Sequence, residues 1–135
     1  ILSAIGGAGS GASHGIGYAL GATFGVAHGH TSCVLLPAVL RWNEPANGAL
    51  QQRMAAEMGA PGRSAANVLF ELVRTLGQPA TLQDLSLKHE DLAEVARRAL
   101  AYPPVRANPR SIASPDDVMQ ILELAWQGGP WGDVR

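Results

Sequence analysis

The chain has 135 residues, which is the size of one ordinary domain. Ten basic and eleven acidic side chains leave a net charge of -1, so neither nucleic acid nor an anionic membrane surface is an expected partner. A single cysteine, Cys33, excludes an internal disulfide and fits a reducing compartment such as the cytoplasm.

The first part of the chain, residues 1–40, contains three histidines but no Asp, Glu, Lys or Arg. Its most apolar window, Ile16 to Ala27, is shorter than the roughly 20 residues that a membrane-spanning helix needs. We therefore predict no membrane span and instead a helix that is buried within the protein. Gly17, Gly21 and Gly25 follow at intervals of four, which predicts a flat stripe where another backbone approaches closely.

Helical signals recur along the chain, whereas no segment shows the sustained alternation of a β-strand. Thr31 is a candidate N-cap for a helix that ends near Asn43 and is kinked at Pro37. Ala46 to Met58 forms the next predicted helix, which the stretch GAPG ends. Its methionines, and the Leu and Val stripes of the chain, are expected in the core.

The second half of the chain carries clear helix boundaries. Ser64 is the predicted N-cap of a helix that Gly77 ends. A connector follows, and Glu90 to Ala101 forms a helix that the next pair of prolines stops. Ser114 caps the last helix and is followed by a first-turn proline and acid. The pattern predicts an all-α bundle of about six helices.

Two histidines and a tyrosine give the charge-free segment its candidate chemistry. His14 and Tyr18 lie four residues apart and therefore share one face of a helix. His28 lies beyond Gly25, where a helix break could bring the second imidazole towards the first. Neutral imidazole is a common transition-metal ligand, but two ligands are fewer than the three or four of an ordinary site. From spacing alone, a metal site and a pair of core or cap histidines both stay open.

Three further patterns have weaker support. GASHG matches the G-x-S-x-G elbow with Ser13 as nucleophile, but it lacks a preceding strand and would need His89 with an acid such as Asp84. GAGSGA, residues 7–12, fits a loose dinucleotide-binding fingerprint, also without a strand before it. In ANPRSIASPDDV, Arg110 precedes a helix N-terminus that could hold an anion, and an exposed arginine in an Asn-Pro turn explains the pattern equally well.

One long stretch, SHGIGYALGATFGVAHGHTSCVLLPAVLRWN, resembles the histidine signature of the iron-containing alcohol dehydrogenase family, and most closely its maleylacetate reductase branch. That signature is a histidine helix, an LGA-x-x-G turn, a His-Gly pair and then LP-x-V-L-x-x-N, which ends here at Asn43. ANPRSIASPDDVMQILELAW is similar to the end of that branch, so the likeness spans nearly the whole chain.

The resemblance implies a fold and a metal site. Residues 1–135 would form a single all-helical domain, like the dehydroquinate synthase-like α domain, as the later part of a two-domain enzyme. The absent N-terminal, Rossmann-like domain would bind NAD(H) or NADP(H). A divalent metal, Fe²⁺ or Zn²⁺, would lie in the cleft between the domains. His14 and His28 match the last two of its three histidine ligands, and an Asp and the first His would precede Ile1.

The same resemblance implies an activity. The complete enzyme, a cytoplasmic homodimer, would reduce maleylacetate or a related keto acid in aromatic-compound degradation, and the isolated chain is expected to be inactive. Many alcohol dehydrogenases of the family carry a second histidine where this chain has Tyr18, so Tyr18 is the expected proton donor to a developing alkoxide. Ser13 and Arg110 are candidate contacts to substrate or cofactor, and His14 and His28 could hydrogen-bond the substrate instead of a metal.

Two other functions stay open at this point. One is an iron-dependent alcohol dehydrogenase of a different substrate range. The other is a stand-alone, non-catalytic helical module that exposes the apolar wall of the first segment to a partner chain.

Overall fold

The computed structural model describes residues 10–132, and this part of the chain contains six α-helices, two short 3₁₀ helices and no β-strand. The all-α prediction is therefore confirmed for these residues, while the first half of the fingerprint of residues 7–12 lies outside them. The α-helices are α1 (Ala12–Phe24), α2 (His28–Glu57), α3 (Ala65–Thr75), α4 (Leu92–Ala99), α5 (Pro103–Arg106) and α6 (Pro115–Gln127), and the 3₁₀ helices are Gln83–Leu85 and His89–Asp91.

Helix α1 packs against α2, α4 and α5. Its buried face carries Ile16 and Leu20, which join one core cluster with side chains from α2, α4 and α6. Burial of such side chains contributes about 1.5–3 kcal/mol each. A smaller cluster around Phe70 joins α3 to the chain that follows it, with the half-buried Cys33 against it.

Among the glycines of α1, Gly15, next to His14, has the closest contact with another element. A Cβ atom on Gly15 would lie 2.4 Å from Cγ2 and 2.9 Å from the backbone nitrogen of Val105 in α5. The predicted glycine stripe is only partly right, because Gly17 does face Thr31 but a Cβ at Gly25 would have no neighbour within 4 Å. The absence of a side chain at Gly15 thus lets α5 seat directly against α1.

Helix α2 is longer than predicted, and its kink lies elsewhere. Pro37 lies buried within regular helix, whereas Asn47 has non-helical dihedral angles (φ -139, ψ 28). Pro45, two residues earlier, has no amide hydrogen to donate to the preceding turn, which weakens the helix there. The side-chain amide of Gln51 bridges the kink, since Nε2 donates to the Leu40 carbonyl and to Asn47 Oδ1, both at 2.8 Å.

Asn43 does not end a helix, contrary to the prediction, and instead forms a buried pair with Asn108. Asn43 Nδ2 donates to Asn108 Oδ1 at 3.2 Å, and Asn108 Nδ2 donates to Asn43 Oδ1 at 2.6 Å. Asn108 Nδ2 also donates to the Arg110 carbonyl at 2.7 Å. The two sequence stretches that carry the family resemblance are therefore joined to each other by amide hydrogen bonds.

Replacing Asn108 with alanine is expected to lower the free energy of unfolding by about 1–3 kcal/mol, because the Asn43 amide and the Arg110 carbonyl lose their partner inside the protein. Urea denaturation measures this change. The double variant Asn43→Ala/Asn108→Ala should cost less than the sum of the two single variants, since each single change leaves half of a pair unsatisfied. Strictly additive costs would contradict the paired arrangement.

The expectation that Met54 and Met58 belong to the core is wrong, as their side chains are 41% and 43% exposed. Beyond the kink, α2 packs against α3 through one face that includes Gln51 and Ala55, and its other face stays exposed. Leu72 of α3 is also exposed. The prediction of a core stripe on α3 is therefore only partly right, since Val73 of the same stripe is buried.

Several boundary predictions are confirmed. Ser64 caps α3 by accepting a hydrogen bond from the Asn67 amide, and Ser114 caps α6 in a box with Asp117. The amides of Ala113 and Ser114 donate to the Asp117 carboxylate and hold its pKa below the usual value. The prolines that stop the preceding helix occupy the first positions of α5.

Among the described residues, no helix is both long enough and apolar enough to cross a lipid bilayer.

Candidate active site

Three residues from the charge-free segment, His14, Tyr18 and His28, form a cluster of rings where α1 and α2 meet; we refer to it as the ring cluster. The ring centroids of His14 and His28 lie 5.6 Å apart, and those of His14 and Tyr18 lie 6.4 Å apart. Tyr18 and His28 are 6.2 Å apart and nearly parallel, at 19°. The structure thus brings together the three residues that spacing singled out.

A tight connection between the helices places His28 beside α1. Gly25 ends α1 in the left-handed conformation (φ 67), and its amide donates to the Gly21 carbonyl at 2.9 Å. Helix α2 begins only three residues later, with Ala27 as its N-cap, so the prediction that Thr31 caps it is wrong. The Thr31 hydroxyl instead donates to the His28 carbonyl at 2.7 Å and steadies the first turn of α2.

The ring cluster faces outward in the described structure. Tyr18 is 44% exposed, His28 is exposed and His14 is half-buried. Most of residues 22–30 are exposed as well, so the prediction of a buried segment is right for the core-facing side of α1 and wrong for the stretch that leads into α2. The two imidazoles therefore lie at the outer side of a sequence segment that contains no formally charged residue.

The two imidazoles fit one half of a metal site. With metal–nitrogen distances of about 2.0–2.1 Å and tetrahedral angles, two bound imidazoles have centroids about 5 Å apart. The observed 5.6 Å is close to this separation. Within residues 10–132, no group of three or more His, Cys, Asp or Glu side chains is placed to hold a metal ion. A complete site would therefore need ligands beyond the described residues.

Ser13 and Arg110, the other candidate contacts, lie in different surroundings. Ser13 is buried on α1 beside His14. The Arg110 guanidinium lies 3.5 Å from the centroid of the Trp42 ring and donates to the Trp42 carbonyl at 3.0 Å. The sequence suggested an anion-binding site at the N-terminus of α6. The amides of Ala113 and Ser114 at this end of the helix already donate to the Asp117 carboxylate. Packing on α2 explains Arg110, and its role in binding stays a prediction.

The serine-hydrolase interpretation of GASHG finds no support in the described residues. His89 Nε2 lies 2.7 Å from Glu123 Oε1 on α6, and its ring packs against Trp126. The Asp84 carboxylate accepts hydrogen bonds from the amides of Ala80 and Thr81, and these hydrogen bonds lower its pKa. The residues that would form a strand before Ser13 lie mostly outside the described part of the chain. Both proposed partners of a nucleophile are therefore engaged elsewhere.

Sequence reasoning missed one residue beside the ring cluster, namely Tyr102. Its ring centroid lies 5.8 Å from that of Tyr18, and the two planes are tilted by 46°. The only local signal for a fixed position is the pair of prolines that follows Tyr102. Its neighbour on α1 could not be inferred, because the contact joins residues far apart in the chain.

Comparison with known proteins gives consistent matches. Residues 2–126 match the family model described as Fe-containing alcohol dehydrogenase family, C-terminal. The chain is 38% identical over 136 residues to dehydrogenase ALT3 of Alternaria alternata, covering 87% of this chain and 35% of that protein. It is 32% identical over 127 residues to lactaldehyde reductase of Escherichia coli (strain K12), covering 87% and 33%.

A solved structure shows the same fold. The crystal structure of maleylacetate reductase from Agrobacterium tumefaciens superposes with a TM-score of 0.75 and 30% sequence identity. The match covers 89% of this chain and 33% of that chain. The chain therefore spans about a third of the length of the relatives that it matches.

Proposed function

The chain belongs to the Fe-containing alcohol dehydrogenase family, and we propose that it forms the helical domain of an NAD(P)H-dependent reductase of maleylacetate or a related keto acid. The observation that carries this proposal is the ring cluster, in which two imidazoles with centroids 5.6 Å apart stand beside the phenol ring of Tyr18. Similarity to a maleylacetate reductase of the same fold supports the substrate class.

The remaining parts of the enzyme are proposed to lie in the rest of a longer protein. The matched relatives are about three times as long as this chain, which leaves room for a nucleotide-binding domain and further metal ligands. Exposed apolar side chains on the two helices that carry the ring cluster support such a covering domain, since Phe24 and Leu36 are 38% and 39% exposed. We expect the chain alone to bind no nicotinamide and to be inactive.

Each residue of the ring cluster then has a role. When bound, a divalent metal would polarise the substrate carbonyl as a Lewis acid, and the reduced nicotinamide would supply hydride. His14 and His28, as neutral imidazoles, would each hold the ion through one ring nitrogen. Hydride addition leaves negative charge on the carbonyl oxygen, as an alkoxide or, in a conjugated keto acid, as an enolate. Tyr18 Oη donates a proton to that oxygen.

The test uses the complete protein that is translated from the reading frame containing this chain. Consumption of NADH and of NADPH is followed with maleylacetate and with lactaldehyde, because one relative is a lactaldehyde reductase. We expect kcat/KM to be at least about tenfold higher with maleylacetate, which corresponds to about 1.4 kcal/mol of differential transition-state binding. A preference for lactaldehyde would favour the alternative of a different substrate range, and no turnover of either would contradict the proposal.

Replacing Tyr18 with phenylalanine is expected to lower kcat of the complete protein by about 100-fold or more, with KM nearly unchanged, because the ring stays and only the proton donor is lost. Steady-state kinetics at a saturating concentration of the cofactor measure kcat and KM. Tyr18→His keeps a donor and should recover part of kcat, with a pH profile moved towards the imidazole pKa of about 6.5. Equal activity of the Phe variant and the wild type would exclude Tyr18 as the donor.

A further inference from the structure

Tyr102 reaches the ring cluster from a different part of the fold. It lies in the turn between α4 and α5, and its ring centroid is 5.8 Å from that of Tyr18. Its amide donates to the Ala99 carbonyl at 3.0 Å, and its carbonyl accepts from the Val105 amide at 3.1 Å. The backbone of Tyr102 is therefore fixed on both sides by hydrogen bonds.

The position of Tyr102 is also tied to the backbone of α1. The two residues after it are prolines at the first positions of α5, and Val105 rests directly on Gly15. Gly15 lies between His14 and Tyr18 on α1, so this contact fixes the turn that carries Tyr102 against the helix that carries two residues of the ring cluster. Such a rigidly held ring can contact a ligand without the entropy cost of ordering a mobile side chain at each binding event.

We propose that Tyr102 and Tyr18 form an aromatic wall of the substrate site that favours ligands with a planar, unsaturated carbon chain. The wall is accessible, because Tyr18 is 44% exposed and Tyr102 is half-buried. Aromatic rings gain from contact with flat, polarisable groups, and such a contact changes Kd by about 2- to 10-fold. This inference rests on the proposed function, and it assigns to Tyr102 ground-state binding rather than proton transfer.

Binding of fumarate and succinate to the complete protein tests the inference by calorimetry. The two dianions have the same carbon number and charge and differ in the central double bond. We expect the wild-type protein and Tyr102→Phe to bind fumarate about 2- to 10-fold more tightly than succinate, and Tyr102→Leu to lose this preference. Leu76→Ala, which changes an exposed residue directly after α3, is the control and should behave as wild type.

Two outcomes would overturn the inference: equal binding of both dianions by the wild-type protein, or an unchanged preference in Tyr102→Leu. The wild-type comparison stands even if the Leu variant is unstable. In turnover, Tyr102→Leu should raise KM for maleylacetate by a similar factor and leave kcat nearly unchanged, unlike Tyr18→Phe. If the complete protein reduces no keto acid, the proposed function fails, while the fumarate preference still reports on Tyr102.

Discussion

Replacing His14 or His28 with alanine is expected to lower kcat/KM of the complete protein by at least about 1,000-fold, because a Lewis-acid metal supplies several kcal/mol of transition-state stabilisation. Each variant removes one of the two imidazoles whose spacing fits a shared ion. Bound metal should fall together with activity. Kinetics and elemental analysis of the purified variants, side by side, measure both effects.

His30 provides a matched control for this experiment. It is an exposed histidine in the same first turn of α2, only two residues from His28, and the described ring contacts of the cluster do not include it. His30→Ala should keep metal and activity close to wild type. Because His28 is exposed, its alanine variant should also fold normally, which thermal unfolding verifies. Retention of metal and activity after loss of His14 or His28 would contradict the metal assignment.

A second large effect is expected at Gly15, where alanine should lower the free energy of unfolding by about 3 kcal/mol or more. The added methyl group would meet Val105 Cγ2 at 2.4 Å and the Val105 backbone nitrogen at 2.9 Å. A side chain can rotate away, but the backbone contact is relieved only if α5 moves off α1. The same movement should displace Tyr102 from Tyr18. Chemical denaturation measures the loss.

Gly48 serves as the control for the Gly15 substitution. It also lies in a helix, but a Cβ atom there would have no neighbour within 4 Å. Gly48→Ala should therefore raise stability by about 0.5–1 kcal/mol, which is the opposite sign. Adding Val105→Ala to the Gly15 variant should restore only part of the loss, since the backbone nitrogen stays in place. A Gly15→Ala protein as stable as wild type would show that α5 is not seated as described.

Local patterns explain what the sequence could predict. The i, i+4 spacing of His14 and Tyr18 places them on one helix face, and Gly25 supplies the left-handed residue that turns the chain towards His28. Ser64 and Ser114 mark helix starts because their side chains accept a backbone amide within the same turn. Each of these interactions joins residues within about fifteen positions, so its signal stays within a short stretch of sequence.

Long-range packing explains most of what the sequence could not predict. The Asn43–Asn108 pair and the aromatic contact of Tyr102 join distant segments. No local sequence pattern indicates the partner of either contact. The exposed methionine Met54 belongs to an apolar stripe, but a stripe does not reveal which element, if any, covers it. Similarly, the charge-free stretch before α2 is exposed. The absence of charged residues permits burial but does not require it.

The packing of α1 against the late helices α4 and α5 has a consequence for synthesis on the ribosome. Gly15 and its neighbour Val105 are ninety positions apart, so at about 5–20 residues per second several seconds pass between their emergence. For most of this interval the apolar face with Ile16 and Leu20 lacks its partners from α4 and α5. A nascent chain of this kind is a natural client for chaperones that shield early hydrophobic segments. The residues of the ring cluster thus leave the ribosome early, whereas the helices α4 and α5 that pack against α1 are synthesised late.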